Sequence, residues 1–283
     1  MVGAPRSGTT SLYRYLRSLE SVFLPTPKYI THFRGNNYTQ KLTEKEYLQH
    51  FSGITNEKII GEVNPGYLSD PDSSILIKKK IPNAKIIILL RDPVERTFSD
   101  YNSHIAKENL NCTFRDAIME NPPSGKNFPN TGITQKNHLL ERSLYNEQVK
   151  KYLETFGVTN VGIWFTENLK QNPTKVLEDI HNFLGITEDI KNIDQFAELA
   201  IPKNFIIKFI LRKQSLFKIL RKFVLPFPKL REKLGESSYK KISKPIMLKE
   251  QRIQLENYFK DDVSNLSLLL NMKIPWLWFE KSK

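Results

Sequence analysis

The sequence predicts an α/β domain of three layers, with a central parallel sheet flanked by helices, and three observations carry that prediction. A continuous apolar run, Ile86 to Leu90, reads as a strand buried on both faces, the pattern of a parallel sheet. Segments with apolar residues at helical spacing recur before and after it. A glycine-rich turn in "MVGAPRSGTTSLYRYL" leads from a short apolar stretch into the first of those segments, so strand and helix alternate from the outset.

The elements follow in order. Met1 and Val2 are the only apolar residues ahead of the first glycine, short for a central strand, which leaves open whether further residues precede them. Leu12, Tyr15, Leu16 and Leu19 line one face of a helix. "KIIGEVNPGYL" predicts a second short strand ending in a Pro-Gly turn. After Leu90 the chain turns at Arg91; Asp92 is positioned to cap the next helix, with Pro93 in its first position. "LYNEQVKKYLETFG" is an amphipathic helix stopped by Gly157, "VGIWFTENL" a further buried strand, and "PTKVLEDIHNFLG" a helix with its own glycine stop. "KPIMLKEQRIQLENYFKDDVSNLSLLLN" predicts a C-terminal helix, and "IPWLWF" supplies aromatic packing. The whole chain, 1–283, reads as one domain.

Residues 203–235 depart from the pattern. Lysines and arginines at 208, 212, 213, 218, 221 and 222 interleave with Phe, Ile and Leu. Such a basic amphipathic insertion suits a membrane interface or packing onto the domain.

Composition narrows the field. Apolar residues make up 39% of the 283, enough for a packed core. The net charge of +13, from 43 Lys and Arg against 30 Asp and Glu, favours a polyanionic partner or a generally basic surface. No apolar run approaches the roughly 20 residues of a membrane span, and no leader segment is expected. The single cysteine, Cys112, excludes an intramolecular disulfide and suits a reducing compartment.

The chemistry starts at the glycine turn. Gly3 and Gly8 have the spacing of a Walker loop, G-x-x-x-x-G-K-[ST], but Thr9 stands in the lysine position and the nearby cation is Arg6. Backbone N–H groups of such a turn and the helix start behind it form an anion cradle. Gly8 allows close approach, and Thr9, Thr10 and Ser11 add hydroxyls. The best strand ends in Arg91 where a metal-binding Asp would be needed, so the loop is poorly suited to phosphoryl transfer from ATP. A second motif, "LLRDPVERTFSDYNSH", has Arg91 at the strand's C-terminal edge, where open α/β sheets bind ligands. Arg96 and Ser99 share a helix face, and Arg91 with Ser99 would make a second anion site. Two anion sites on adjacent strand ends suit a nucleotide phosphorylated at two places.

"PRSGTTSL" together with "RDPVERTFSDYNSH" resembles the sulfotransferase family that uses 3′-phosphoadenosine-5′-phosphosulfate (PAPS). "GEVNPGYL" is similar to that family's Glu-x-x-Pro-x-Tyr segment, and the stretch from Arg142 to Ile186 is similar to its next block. "SYKKISKPIMLKEQRIQLENYF" resembles the C-terminal block of the carbohydrate, heparan-type branch. The likeness covers the chain except roughly 105–140 and 203–235. It implies a P-loop-like fold and PAPS as donor, with no metal. Arg6, Ser7, Gly8, Thr9, Thr10 and Ser11 would form the 5′-phosphosulfate loop, Arg6 replacing the usual lysine. Arg91 and Ser99 would bind the 3′-phosphate, and Tyr239 and Lys240 would complete the nucleotide site from the C-terminal block. The acceptor would be a hydroxyl or amine on a carbohydrate or glycolipid, with no nucleic acid as partner.

The same branch carries its catalytic glutamate in a Lys-Glu-x-His-Phe-Phe-like segment. Here "KYITHFRG" matches at His32 and Phe33, but Ile30 stands at the glutamate position. Either His32 is the base, or Glu62 takes part, or the chain is impaired as a catalyst. Arg6 would stabilise the leaving phosphate, Lys28 would contact substrate or sulfate, and His104 would face the acceptor. An altered P-loop kinase or NTPase and a non-catalytic nucleotide-binding relative are the competing readings. The expected location is cytoplasmic, with membrane contact through 203–235 as an option, or the Golgi lumen if an N-terminal anchor is missing from this chain.

Overall fold

Ile86–Leu90 is buried along its whole length and pairs in parallel with Val161–Phe165, Ile88 opposite Ile163. The computed structural model describes residues 1–35, 42–106, 113–118, 138–190 and 247–280. All of them belong to one compact unit, residues 1–196 with 247–283. Among them the strands are β1 (Val22–Phe23), β2 (Ile59–Ile60), β3 (Ile86–Leu90) and β4 (Val161–Phe165). The helices are α1 (Thr9–Arg17), α2 (Glu44–Gln49), α3 (Ser73–Lys80), α4 (Pro93–Ala106), α5 (Phe114–Ile118), α6 (His138–Glu141), α7 (Tyr145–Phe156), α8 (Thr166–Gln171), α9 (Pro173–Leu184), α10 (Lys249–Leu270) and α11 (Leu277–Glu280).

The N-terminal residues link two strand pairs into one parallel layer. Val2 N–H donates to Ile87 O and Ala4 N–H to Leu89 O, while Leu89 N–H donates to Gly3 O. On the opposite edge Asn64 N–H donates to Met1 O and Leu68 N–H to Val2 O. β1 and β2 then pair in parallel through Val22–Ile59 and Phe23–Ile60.

Alternation along β3 builds the layers above and below, because successive strand side chains point to opposite faces. Ile86, Ile88 and Leu90 pack with Tyr145, Val149 and Tyr152 of α7 and with Leu255, Phe259 and Val263 of α10. Ile87 and Leu89 pack with Leu12, Tyr15 and Leu16 of α1 and with Val176, Leu177 and Ile180 of α9. The three-layer α/β prediction therefore holds.

Helix ends follow local chemistry. Asp92 Oδ1 accepts from Val94 N–H at 2.9 Å, capping α4 as expected. α7 stops before Gly157 (φ 80°) and α9 before Gly185 (φ 79°), backbone values that favour glycine. The start of α7 follows Leu144, which has no capping group, so the cap comes from α10: Asp262 accepts from Tyr145 N–H at 2.7 Å and Asn146 N–H at 3.1 Å. Trp276 is buried against Tyr145 and Phe165, the aromatic packing expected of "IPWLWF".

One element differs from its prediction. The strand expected over "VGIWFTENL" ends at Phe165, and α8 begins at Thr166. The Thr166 hydroxyl lies 2.7 Å from Ser7 O and 2.8 Å from Leu90 O, which fixes the turn at the strand end. No helix among the described residues is long and apolar enough to cross a membrane. The expectations for 203–235, Cys112, Tyr239 and Lys240 fall outside the described residues.

Candidate functional site

The site is built where the first glycine turn meets the C-terminal end of β3. Arg6 has φ 69° and Gly8 φ 87°. The left-handed region costs a non-glycine residue about 1–2 kcal/mol, so something must hold Arg6 there. Arg91 supplies part of that hold, its Nη1 donating to Arg6 O at 3.1 Å. Arg6 Nε donates to Ser99 Oγ at 3.3 Å. The loop arginine, the strand-end arginine and the α4 serine thus form one connected group rather than two separate patches.

Gly8 precedes α1 without any side-chain cap; Ser11 N–H turns back to Gly8 O, which leaves the N–H groups of Thr9 and Thr10 at the helix start for an anion. Ser7 is fully buried, and its Oγ has no hydrogen-bond partner among the described residues. A buried hydroxyl without a partner is costly and fits a loop shaped around a ligand. Thr9 is buried, Ser11 half-buried and Thr10 exposed.

Lys28, expected to contact substrate or sulfate, lies against the hydroxyls of the loop. Its Nζ donates to Thr10 Oγ1 at 2.8 Å, Thr9 Oγ1 at 3.2 Å and the Tyr29 hydroxyl at 3.4 Å. It also lies 4.8 Å from the centroid of the Tyr29 ring and 5.9 Å from that of Tyr13. Burial, aided by the charge of Arg14, brings its pKa down to about 7. Burial also lowers the Arg6 pKa, with Asp100 opposing and Arg91 reinforcing.

α4 carries the support beneath Arg6. Arg96, three residues before Ser99 on this helix, is fully buried. It donates to Asp100 Oδ2 at 3.0 Å, to Leu139 O and to Ser143 Oγ. His104, expected on the acceptor side, faces the same carboxylate with Nε2 3.8 Å from Asp100 Oδ1, and Arg142 lies 4.0 Å from Oδ2. Burial alone would raise the Asp100 pKa; Arg96, Arg142 and His104 outweigh it and bring it down to about 2. His104 therefore belongs to a charged buttress. The signal for it was the spacing of Arg96, Asp100 and His104, four residues apart on one helix.

The two candidate bases differ in access. His32 is half-buried and stacks on Tyr47 with ring centroids 4.3 Å apart. Its Nδ1 lies 3.0 Å from Leu42 O. A carbonyl only accepts, so Nδ1 carries the hydrogen in this contact and the neutral ring keeps its lone pair on Nε2. Glu62 follows β2 as predicted, but both carboxylate oxygens are buried and without a hydrogen-bond partner among the described residues. Burial raises its pKa against the pull of the neighbouring Tyr47 and Tyr67 hydroxyls, neither of which closes a hydrogen bond onto it. Tyr67 gives its own proton to Ile30 O at 2.9 Å. In this conformation both Glu62 carboxylate oxygens are enclosed, although the position after a strand suggested that the side chain reaches the site.

Arg91 also lines a groove of about 720 Å³ with Asp92, Glu95, Glu167, Arg252 and Trp278. Its carboxylates are already engaged. Glu95 pairs with Arg91 and Arg252, Glu167 accepts from the Trp276 indole, and Asp92 accepts from the Trp278 indole.

Comparison with known proteins bears on the family and the fold. The chain is 26% identical over 282 residues to the mouse bifunctional heparan sulfate N-deacetylase/N-sulfotransferase 4, covering 96% of this chain and 29% of that protein. It is 35% identical over 107 residues to the membrane-associated sulfotransferase kil1 of Dictyostelium discoideum, covering 37% of this chain and 22% of that one. The chain thus spans less than a third of the length of these curated relatives. A crystal structure of a sulfotransferase from Alicyclobacillus acidocaldarius superimposes with a TM-score of 0.72 at 22% identity, covering 98% of this chain and 96% of the other, which establishes the shared fold. The sulfotransferase domain description matches residues 1–215, about three quarters of the sequence, and the chain belongs to the sulfotransferase domain family.

Proposed function

We propose that this chain moves a sulfuryl group from PAPS to a hydroxyl or amine on a carbohydrate. The observation that carries the reading is the connected group of Arg6, Arg91 and Ser99, which suits a nucleotide with anions at both its 5′ and 3′ positions. The uncapped start of α1 and the Ser7, Thr9, Thr10 and Ser11 hydroxyls suit the 5′ end, and Arg91 with Ser99 the 3′-phosphate. Similarity to heparan sulfate N-sulfotransferases supports the carbohydrate acceptor. The whole chain is read as one such domain, with 203–235 as an insertion.

In the transfer, the bond from sulfur to the phosphate oxygen breaks and a bond from sulfur to the acceptor atom forms. The leaving phosphate keeps the electron pair, and the acceptor loses its proton. Cationic groups held in place before reaction stabilise the charge that develops on the phosphate, a role for Arg6. His32 Nε2 is the better candidate for the departing proton, because the Nδ1 contact with Leu42 O leaves the lone pair on Nε2 and Glu62 is enclosed.

Incubation with sulfur-labelled PAPS and a panel of glucosamine-containing and neutral oligosaccharides tests this. Acceptor-dependent release of 3′-phosphoadenosine 5′-phosphate with label on the glycan is the expected result. Labelling of phenols or sterols in preference to every glycan would reject the carbohydrate assignment.

A further inference from the structure

We infer that Lys28 is a second cation of the phosphosulfate loop: it supplies from a neighbouring segment what a Walker loop carries within itself, and it takes up a proton as the donor binds. The inference rests on the donor assignment made above. Thr9 occupies the position of the Walker lysine, and Lys28 Nζ is hydrogen-bonded to the side chain of that same residue and to Thr10 beside it. The ammonium is therefore already at the first turn of α1, over the hydroxyls that would surround the 5′ anion. A cation there offsets charge on the phosphosulfate and on the phosphate it leaves behind.

Its surroundings make the site sensitive to occupancy. Nζ donates to three neutral hydroxyls, those of Thr9, Thr10 and Tyr29, and lies near the rings of Tyr13 and Tyr29. The charge that acts on it is positive, that of Arg14 on α1. No carboxylate among the described residues offsets its burial, and the pKa of about 7 leaves much of the population neutral near physiological pH. An incoming phosphosulfate reverses the sign of the local field and favours the charged form. Binding and protonation are then linked, so the affinity for the donor falls as the pH rises above 7.

Calorimetric titration with 3′-phosphoadenosine 5′-phosphate at pH 8, in two buffers of different ionisation enthalpy, counts the protons. At that pH the phosphates, with second pKa values of about 6, are already ionised and contribute almost nothing. Wild-type protein is expected to take up about one proton per nucleotide. Lys28→Arg keeps the charge without titrating in this range, so it should bind within about threefold of wild type and take up none. Lys28→Met should bind at least about tenfold more weakly, and the arginine variant keeps the test valid if the methionine variant does not fold. Binding by wild type without proton uptake, or equal uptake by Lys28→Arg, overturns the role of Lys28 and leaves the donor assignment intact. No binding by wild type overturns the donor assignment itself, and this inference with it.

Discussion

Arg91 Nη1 donates to the backbone carbonyl of Arg6 at 3.1 Å, so the strand-end cation of the proposed 3′-phosphate site also holds the 5′ loop in its left-handed turn. Ligand binding and loop geometry are thereby coupled through one side chain. Arg91→Ala is expected to weaken binding of the bisphosphate nucleotide by about 10- to 100-fold, the loss of a charge-assisted contact. Arg91→Lys should recover only part of it, because an ammonium cannot serve the loop carbonyl and a phosphate with the fork of a guanidinium. Equal affinities for wild type and Arg91→Ala would reject the assignment.

The Thr166 hydroxyl meets Ser7 O and Leu90 O together. Thr166→Val keeps the shape and removes that donor from two buried carbonyls. Urea denaturation should report a loss of about 1–3 kcal/mol, accompanied by weaker nucleotide binding. Unchanged stability would mean that the turn at the end of β4 is fixed by packing alone.

His32 and Glu62 make opposite predictions. His32→Ala should lower kcat by about 10²-fold or more, the usual contribution of a general base. Glu62→Gln should leave kcat within about threefold, because its carboxylate oxygens are enclosed. A large kcat loss in Glu62→Gln with KM and stability unchanged would reverse the assignment and require a conformation in which that carboxyl is exposed.

Two carboxyl groups set a stability slope on the acid side of neutrality. Burial raises both Asp92 and Asp262 to about 6, above the unfolded value of about 3.9. Between those values the folded state holds more protons than the unfolded state, so their contribution is fully present below about pH 4 and is lost as the pH rises through 6. Asp100, brought down to about 2, acts in the opposite sense at lower pH: it stabilises above about 4, and that stability is lost as the pH falls through 2. Denaturation of wild type and Asp262→Asn across pH 4 to 7 should show a shallower decline in the variant. Parallel curves would contradict the shift assigned to Asp262.

The sheet and its main helices were legible because their signals are local. The run Ile86–Leu90 needs both faces covered, and Gly157 and Gly185 mark helix ends by backbone conformation alone. Arg6, Arg91 and Ser99 were singled out from loop spacing and from the rule that ligands sit at strand ends, and the fold connects them. Lys28 was seen as a contact, but its position on Thr9 and Thr10 was not, because "TPKYITHF" has no periodicity that would direct its side chains. The surroundings of Glu62 and His104 were legible to different degrees. Burial is a tertiary property, and nothing next to Glu62 in sequence reveals its enclosed pocket, whereas the Asp100 carboxylate that engages His104 was signalled by their four-residue spacing on one helix.

The most direct test of the central claim is a calorimetric comparison of 3′-phosphoadenosine 5′-phosphate with ATP and magnesium, on wild type and Arg91→Ala. The account predicts micromolar binding of the bisphosphate by wild type, a marked loss in Arg91→Ala, and no comparable binding of ATP. Tight binding of ATP with magnesium, or no binding of the bisphosphate, would contradict it.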